Sequence, residues 1–308
     1  MSEVLEADDS EPRCASCGIT GGDGINLMLC NACKLVRYCG IKCQKEHRPQ
    51  HKRACKERAA ELHDEILFRQ PESSHLGDCP ICCLPHSPDR LESVFMGCCG
   101  NSICCGCYHA DKRRKVKGSL NQVCPFCRHP TPTTTEEERK MIMKRVEAND
   151  PHSLFEIGDD RYRTGDIAAG IKFWRKSAEL GYGAAHFRLA MSYHNGEGVN
   201  KDLKKKMYHL EHASIAGHPE ARYNLGCLEM GFGRTERGVK HIIISSNLGF
   251  DKSMKLVREL YTGGLVSKEE FATALRTHQA AVDATKSAQR SKVGAFIRQY
   301  LGNSGQMV

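Results

Sequence analysis

The chain has 308 residues and a formal net charge of +8, which allows two or three domains and is only modestly basic for that length. Hydrophobic residues make up 40% of it, but no run approaches the roughly 18 apolar residues of a membrane span, which argues against a membrane protein. Eighteen cysteines are present, and seventeen precede residue 130. The acidic, polar segment 1–13 is predicted to be disordered and lacks a signal peptide's apolar core. We therefore expect an intracellular protein whose cysteines bind metal.

The segment 14–55 carries eight candidate zinc ligands. They are Cys14, Cys17, Cys30, Cys33, Cys39, Cys43, His51 and Cys55. Two zinc ions would use all eight, because each takes four cysteine or histidine ligands tetrahedrally. The stretches between ligands are too short for an apolar core, so zinc is expected to supply most of the folding free energy. From Ile41 to Cys55 candidate ligands recur every four residues, which predicts a helix, and His47 is an alternative ligand to His51.

This pattern resembles the MYND zinc finger, which also has two Cys-x-x-Cys pairs followed by Tyr-Cys, Cys-Gln and His-x-x-x-Cys. Here the last three elements are Tyr38-Cys39, Cys43-Gln44 and His51 to Cys55. The resemblance implies two interleaved sites, formed by Cys14, Cys17, Cys39 and Cys43 and by Cys30, Cys33, His51 and Cys55. It also implies a partner, because MYND fingers typically bind short proline-containing peptides of other proteins. A zinc-stabilised spacer without a ligand is the alternative.

A helical linker is predicted over 56–78, and a second cysteine-rich segment follows at 79–128. Its eight candidate zinc ligands are Cys79, Cys82, Cys98, Cys99, Cys104, Cys107, Cys124 and Cys127. The adjacent pair Cys98-Cys99 is the irregular one, because Asn101 stands where a histidine often sits. A neutral amide oxygen is a poor ligand for structural zinc, so both cysteines are preferred. A site with three protein ligands is the alternative.

The second segment resembles a RING finger, in which the first and third ligand pairs hold one zinc and the second and fourth pairs hold another. The resemblance implies one site of Cys79, Cys82, Cys104 and Cys107, and four zinc ions in the whole protein. RING-type ubiquitin ligases dock a ubiquitin-conjugating enzyme and position its thioester, so no catalytic residue is expected. The contact residues that the family implies for the conjugating enzyme are Ile81, Pro125 and Arg128. Against this activity, Tyr108 is the only aromatic residue after Cys107 in the helix predicted there.

A basic run occupies residues 112–117. It is similar to a nuclear import signal or a nucleic-acid patch, and its other interpretation is the solvated face of a short helix. The modest net charge owes much to this run, so nucleic-acid binding is not expected. The predicted location is the cytoplasm, the nucleus or both.

A linker helix is predicted over 129–150, because EEERKMIMKRVEA begins with acids and ends with bases. From 151 to 265 similar segments recur, and their glycines, Gly181, Gly217 and Gly249, are 36 and 32 residues apart. A period in the thirties with two helices per unit predicts a solenoid of helical hairpins. The units resemble Sel-1-like repeats, which implies three repeats, a partial fourth and a concave protein-binding surface. A helical stack without a binding role is the alternative.

The solenoid core is expected to alternate small and large side chains. These residues are Ala178, Ala190, Ala213 and Gly226, with Leu189, Tyr193, Leu225 and Trp174. A capping helix is predicted within 266–308, with an apolar stripe of Phe271, Ala274 and Leu275, before a tail that frays from about Gly302. Cys227 is expected to be a small buried hydrophobe.

The predicted fold class is mostly α, with two small zinc-stabilised cross-brace modules followed by an α-helical solenoid. This combination of MYND, RING and Sel-1-like modules resembles a multidomain family of diatoms and related algae. The predicted function is that of a RING-type ubiquitin ligase whose MYND finger and repeats recruit the target protein. The alternative is a non-catalytic zinc-binding adaptor. Both polar linkers are expected to flex.

Overall fold

The structure is a computed structural model that describes residues 11–22, 24–88, 92–118 and 120–293. It divides into two units, Met1–Arg69 and Gln70–Val308. Residues 1–10 of the predicted disordered segment 1–13 lie outside the described residues, and so does the whole of the predicted frayed tail. No helix of the described residues is both long and apolar enough to cross a membrane.

The first unit combines a short hairpin with one long helix. Strands β1 (Met28–Leu29) and β2 (Arg37–Tyr38) pair antiparallel. Helix α1 (Ile41–Leu67) has 27 residues and includes Pro49, which removes one backbone hydrogen-bond donor. The helix predicted up to Cys55 and the first part of the helical linker predicted over 56–78 are therefore one continuous helix, which ends at Leu67.

The second finger, residues 79–128, opens the second unit. Strands β3 (Ser93–Met96) and β4 (Asn101–Cys104) form an antiparallel hairpin, and α2 (Cys105–Lys117) follows at once. The predicted linker helix is α3 (Thr135–Glu147), whose first turn is acidic and whose last turn is basic. The Thr134 side chain accepts from the Glu137 N–H and caps this helix.

Between residues 151 and 284, all of which the structure describes, eight helices form four hairpins. They are α4 (Pro151–Arg163), α5 (Ile167–Glu179), α6 (Gly183–Asn195), α7 (Leu203–Ile215), α8 (Pro219–Gly231), α9 (Thr235–Asn247), α10 (Asp251–Thr262) and α11 (Lys268–Ala284). Consecutive helices pack in pairs, and each pair stacks on the next. The predicted fold class is therefore confirmed. The predicted capping helix is α11, which packs on α9 and α10 and completes a fourth hairpin.

The sequence repeat corresponds to one repeated turn between hairpins. Gly181, Gly217 and Gly249 have φ values of 85°, 83° and 82°. Each donates its N–H to the carbonyl three residues earlier, over 2.8 to 3.0 Å. This left-handed conformation is open to glycine at no steric cost, which explains why the residue recurs at these positions.

The predicted small and large core residues of the solenoid are buried, as expected. A Cβ added at Gly226 would lie 2.8 Å from Ile242 Cδ1, so α8 and α9 approach too closely there for a side chain. Cys227 is only half-buried.

The predicted stripe on α11 is partly wrong. Leu275 is 41% exposed, whereas Ala274 and His278 are the buried residues of that helix. Because these two residues are four apart they lie on one face, and Leu275 is turned about 100° away from Ala274. Phe271 does face inward and stacks on Tyr261, with ring centroids 4.6 Å apart.

The second finger is attached to the solenoid by its flanking segments. The His75 N–H donates to the Gly217 carbonyl over 3.2 Å, and the Asn247 side-chain amide donates to Gln70 over 3.1 Å. On the other side, α3 packs on α4, where Arg139 donates to Asp160 over 3.1 Å. The linker over 129–150, expected to flex, thus contains the helix α3, which packs on α4 through its partly apolar face.

Candidate metal centres

Four Cys-x-x-Cys turns share one backbone conformation. In each, the residue after the second cysteine donates its N–H to the carbonyl of the first cysteine over 2.8 to 2.9 Å and has φ between 54° and 76°. These residues are Gly18, Lys34, Cys83 and Arg128. A left-handed backbone costs a residue with a side chain roughly 1–2 kcal/mol. Three such residues therefore adopt it because the ligand pair requires a tight reversal, a regularity that sequence analysis missed.

The turns bring the candidate ligands together in four groups, and within each group all four ligand atoms lie within 4.8 Å of one another. The first unit holds Cys14, Cys17, Cys39 and Cys43 in one group and Cys30, Cys33, His51 and Cys55 in another. The second finger holds Cys79, Cys82, Cys104 and Cys107 in one group and Cys98, Cys99, Cys124 and Cys127 in another. Within each finger, the ligand pairs of the two groups therefore alternate along the chain.

The sulfur separations match tetrahedral zinc. With Zn–S bonds of about 2.3 Å, two sulfurs of a tetrahedral site lie about 3.8 Å apart. The observed Sγ–Sγ distances are 3.6 Å for Cys17–Cys39, 3.7 Å for Cys30–Cys55, 3.9 Å for Cys82–Cys104, 4.0 Å for Cys99–Cys124 and 3.4 Å for Cys98–Cys127. Thiolate and imidazole are also the donors that structural zinc prefers. The groups thus fit zinc, and these clusters indicate zinc binding.

His51 and His47 have different surroundings. The Nε2 atom of His51 lies 3.2 Å from Cys33 Sγ and belongs to the second group of the first unit. His47 stacks on His51 with ring centroids 5.6 Å apart, and its Nδ1 is hydrogen-bonded to the Tyr38 hydroxyl at 3.1 Å. Tyr38 thus gives His47 a partner outside the ligand group.

The hairpin turn between β3 and β4 presents the adjacent cysteines. The N–H groups of Cys99 and Gly100 both donate to the Met96 carbonyl, over 3.1 and 2.8 Å. Cys98 and Cys99 both fall in the ligand group, whereas Asn101 lies outside it and donates hydrogen bonds to the Cys99 thiol. This tight turn is how two neighbouring residues reach one site.

Two thiols show how the turns favour the thiolate that zinc requires. Burial acts to raise the pKa of Cys14, but backbone N–H donation from Cys17, Cys39 and Ser16 lowers it to about 6. Burial acts in the same way on Cys82, whose pKa is lowered to about 7 by the Leu84 N–H and by the Arg290 guanidinium. Hydrogen bonds to sulfur stabilise the charged form.

The three predicted contacts for a conjugating enzyme lie in or next to the ligand turns. Ile81 is 43% exposed, Arg128 is exposed and Pro125 is half-buried. Phe126, which sequence analysis did not single out, is 48% exposed beside Pro125. Tyr108 on α2 packs instead against the buried cysteines.

The basic run on α2 is not a uniform solvated face. The Lys115 side chain is only 5% exposed, and its ammonium donates to Asp111 and to the Val123 carbonyl. The remaining basic residues of the run are exposed. One of its five cations is therefore a structural part of the second finger.

A groove of about 790 Å³ lies between the second finger and the end of the solenoid. Pro85 and Pro88 line it from the finger, and Phe250, Ala281 and Val282 line it from the repeats. A ligand in this groove would touch both parts of the second unit.

The first unit exposes several large apolar side chains. Met28 and Leu29 of β1 are 53% and 42% exposed, and Leu35 and Ile41 are 62% and 64% exposed. These side chains are available for contact with a partner protein.

Comparison with known proteins identifies the first finger. Residues 14–55 match the family model of the MYND finger, which covers a small part of the chain. No curated protein matches the chain.

Solved structures of repeat proteins are similar to the chain over about half of its length. A Sel1 repeat protein from Oxalobacter formigenes is 25% identical, with a TM-score of 0.42, over 48% of this chain and 66% of that one. The antigen c5321 of uropathogenic Escherichia coli, which displays an SLR fold, is 20% identical, with a TM-score of 0.39, over 53% of this chain and 37% of that one. This chain thus spans less than two thirds of the length of either protein.

Proposed function

We propose that the protein is a RING-type ubiquitin ligase that holds four zinc ions and recruits its target protein through the MYND finger and the helical repeats. The observation that carries the proposal is the interleaving of Cys79, Cys82, Cys104 and Cys107 with the second ligand group of the same finger. The exposed Ile81 and Arg128, with Pro125, supply the contact set expected for a ubiquitin-conjugating enzyme. Arginine suits this role because its planar donor fork can bridge two surfaces.

Target recruitment follows from the other modules. The exposed apolar residues of the first unit suit a proline-containing peptide, and the groove beside the second finger suits a segment of the target. A protein that holds its target and a charged conjugating enzyme together accelerates transfer by proximity.

The second candidate function is a non-catalytic zinc-binding adaptor. It is favoured by α2, where Tyr108 packs inward and the helix carries no phenylalanine, tryptophan or second tyrosine for a conjugating enzyme to contact.

Self-ubiquitination by the zinc-loaded full chain with a panel of conjugating enzymes separates the two functions. We expect ubiquitin chains that fall at least about tenfold in Ile81→Ala and Arg128→Ala, a loss of roughly 1.4 kcal/mol in transition-state stabilisation. Leu275→Ala and Arg276→Ala, exposed on α11, are matched controls and should retain activity. No transfer by the wild-type chain at full zinc content would leave the adaptor as the function.

A further inference from the structure

The guanidinium of Arg290 reaches the second finger from the far end of the chain. Its Nη2 donates to Cys82 Sγ over 3.2 Å and to the Leu84 carbonyl over 3.0 Å. Its Nη1 donates to the Pro85 carbonyl and, over 2.8 Å, to the carbonyl of Thr285 at the end of α11. One side chain thus joins the end of the solenoid to the ligand turn that carries Cys82.

The backbone around Arg290 packs against the same site. The helical turn 288–293 approaches Gly106 so closely that an added Cβ would lie 2.9 Å from Arg290 Cγ and 3.1 Å from its Cα. Gly106 lies between the ligands Cys104 and Cys107. The turn 288–293 therefore contacts this metal group at two places, the ligand Cys82 and the backbone between Cys104 and Cys107.

The positive charge of Arg290 explains how this contact can stabilise a metal site. A zinc ion with four thiolates carries a net negative charge, and a hydrogen-bonded cation lowers the cost of burying it. Arg290 supplies such a cation to this group through its hydrogen bond to Cys82 Sγ. The Cys14 group of the first unit is also all cysteine, and there the hydrogen bonds that lower the pKa of Cys14 come from backbone N–H groups and Cys17, which provides an internal comparison.

We propose that Arg290 is a positioning residue of the zinc site formed by Cys79, Cys82, Cys104 and Cys107, so that the end of the repeat region stabilises the metal centre of the second finger. The inference rests on the zinc site of the proposed function. Partners that orient metal ligands typically contribute about 10- to 100-fold in metal affinity.

The test compares wild type, Arg290→Ala, Arg290→Lys and the exposed control Lys286→Ala as full chains loaded with zinc or cadmium. Competition with a chromophoric chelator should show one zinc bound about 10- to 100-fold more weakly in Arg290→Ala. Cadmium NMR should show a shift of one resonance, the one lost in Cys82→Ser. Arg290→Lys, which keeps the charge without the fork, should be intermediate, and the control should match wild type.

Two results would overturn the inference. If Arg290→Ala lowers the unfolding temperature but leaves every cadmium resonance and zinc affinity unchanged, the arginine only packs the end of the chain. If the wild-type chain has no resonance that depends on Cys82, the zinc site itself, and with it the proposed function, is wrong. Should Arg290→Ala fail to fold, Arg290→Lys and the rate of Cys82 alkylation decide between these outcomes.

Discussion

The imidazole of His75 stacks on that of His218, with ring centroids 4.1 Å apart and an angle of 17° between the planes. This contact and the hydrogen bond from the His75 N–H to Gly217 tie the segment before the second finger to the turn between α7 and α8. The repeat turn at Gly217 is therefore a docking point for the segment around His75, which lies about 140 positions earlier in the chain.

Gly217→Ala should be more destabilising than Gly181→Ala. Both residues have a left-handed backbone, so each substitution costs about 1–2 kcal/mol. A Cβ at Gly217 would lie 2.8 Å from the Ser73 carbonyl oxygen, whereas nothing lies within 4 Å of one at Gly181. Thermal unfolding should rank the variants, and limited proteolysis near residue 73 should accelerate only in Gly217→Ala. Equal losses in both variants would argue against the docked segment.

Removal of zinc should unfold the fingers and spare the repeats. The core of the first finger is Cys14, Cys30, Cys33 and Tyr38, so without metal little holds it together. The only tryptophan, Trp174, is 2% exposed in an apolar cluster of the first hairpin. A chelator titration should therefore release zinc while the Trp174 emission stays unchanged. A shift of that emission in step with zinc release would show that the repeats also depend on metal.

Lys115→Met should destabilise the second finger by about 1–3 kcal/mol, because it leaves Asp111 and the Val123 carbonyl without their shared donor. Lys117→Met is the matched control, since Lys117 is exposed on the same helix. Thermal unfolding with zinc analysis measures both variants. Equal stability of the two would mean that the ammonium of Lys115 is solvated.

Asp150→Asn should lower the free energy of unfolding at neutral pH but not in acid. Burial acts to raise the pKa of Asp150, yet the Ser153 N–H and the Arg145 guanidinium outweigh it and hold the pKa below its ordinary value of 3.8. A lowered folded-state pKa stabilises the fold above the unfolded-state pKa, and this contribution disappears as pH falls through the folded value.

Denaturant unfolding of wild type and Asp150→Asn at pH 7 and at successively lower pH, below the ordinary pKa of 3.8, measures this difference. We expect Asp150→Asn to be less stable by roughly 1 kcal/mol at pH 7 and nearly equal to wild type in acid. Acid also releases zinc, but from both chains, so the difference between them isolates Asp150. A difference that persists in acid would contradict the assignment.

The elements that sequence analysis predicted well have local signals. The Cys-x-x-Cys spacing, the charge order along α3 and the recurrence of Gly181, Gly217 and Gly249 each lie within a few turns of chain. Spacing also left alternatives, because His47 and His51 have the same period on α1, and only the Tyr38 hydroxyl gives His47 a different partner. The helix over Ile41 to Cys55 and the helical character of the linker were both predicted, but their union into the single helix α1 was missed.

The composition and periodicity of this sequence were thus enough to predict cysteine-rich metal-binding modules and a stack of helical hairpins. Ligand spacing and helix repeats are both patterns of residues that lie close together in the sequence. The attachment of the second finger to that stack depends on folding. Arg290 meets Cys82 across 208 positions, and Leu275 faces solvent although its apolar side chain suggested the core. In sequence Arg290 looks like an ordinary surface residue and Leu275 like an ordinary core residue. Their surroundings are decided only when distant segments of the chain pack together.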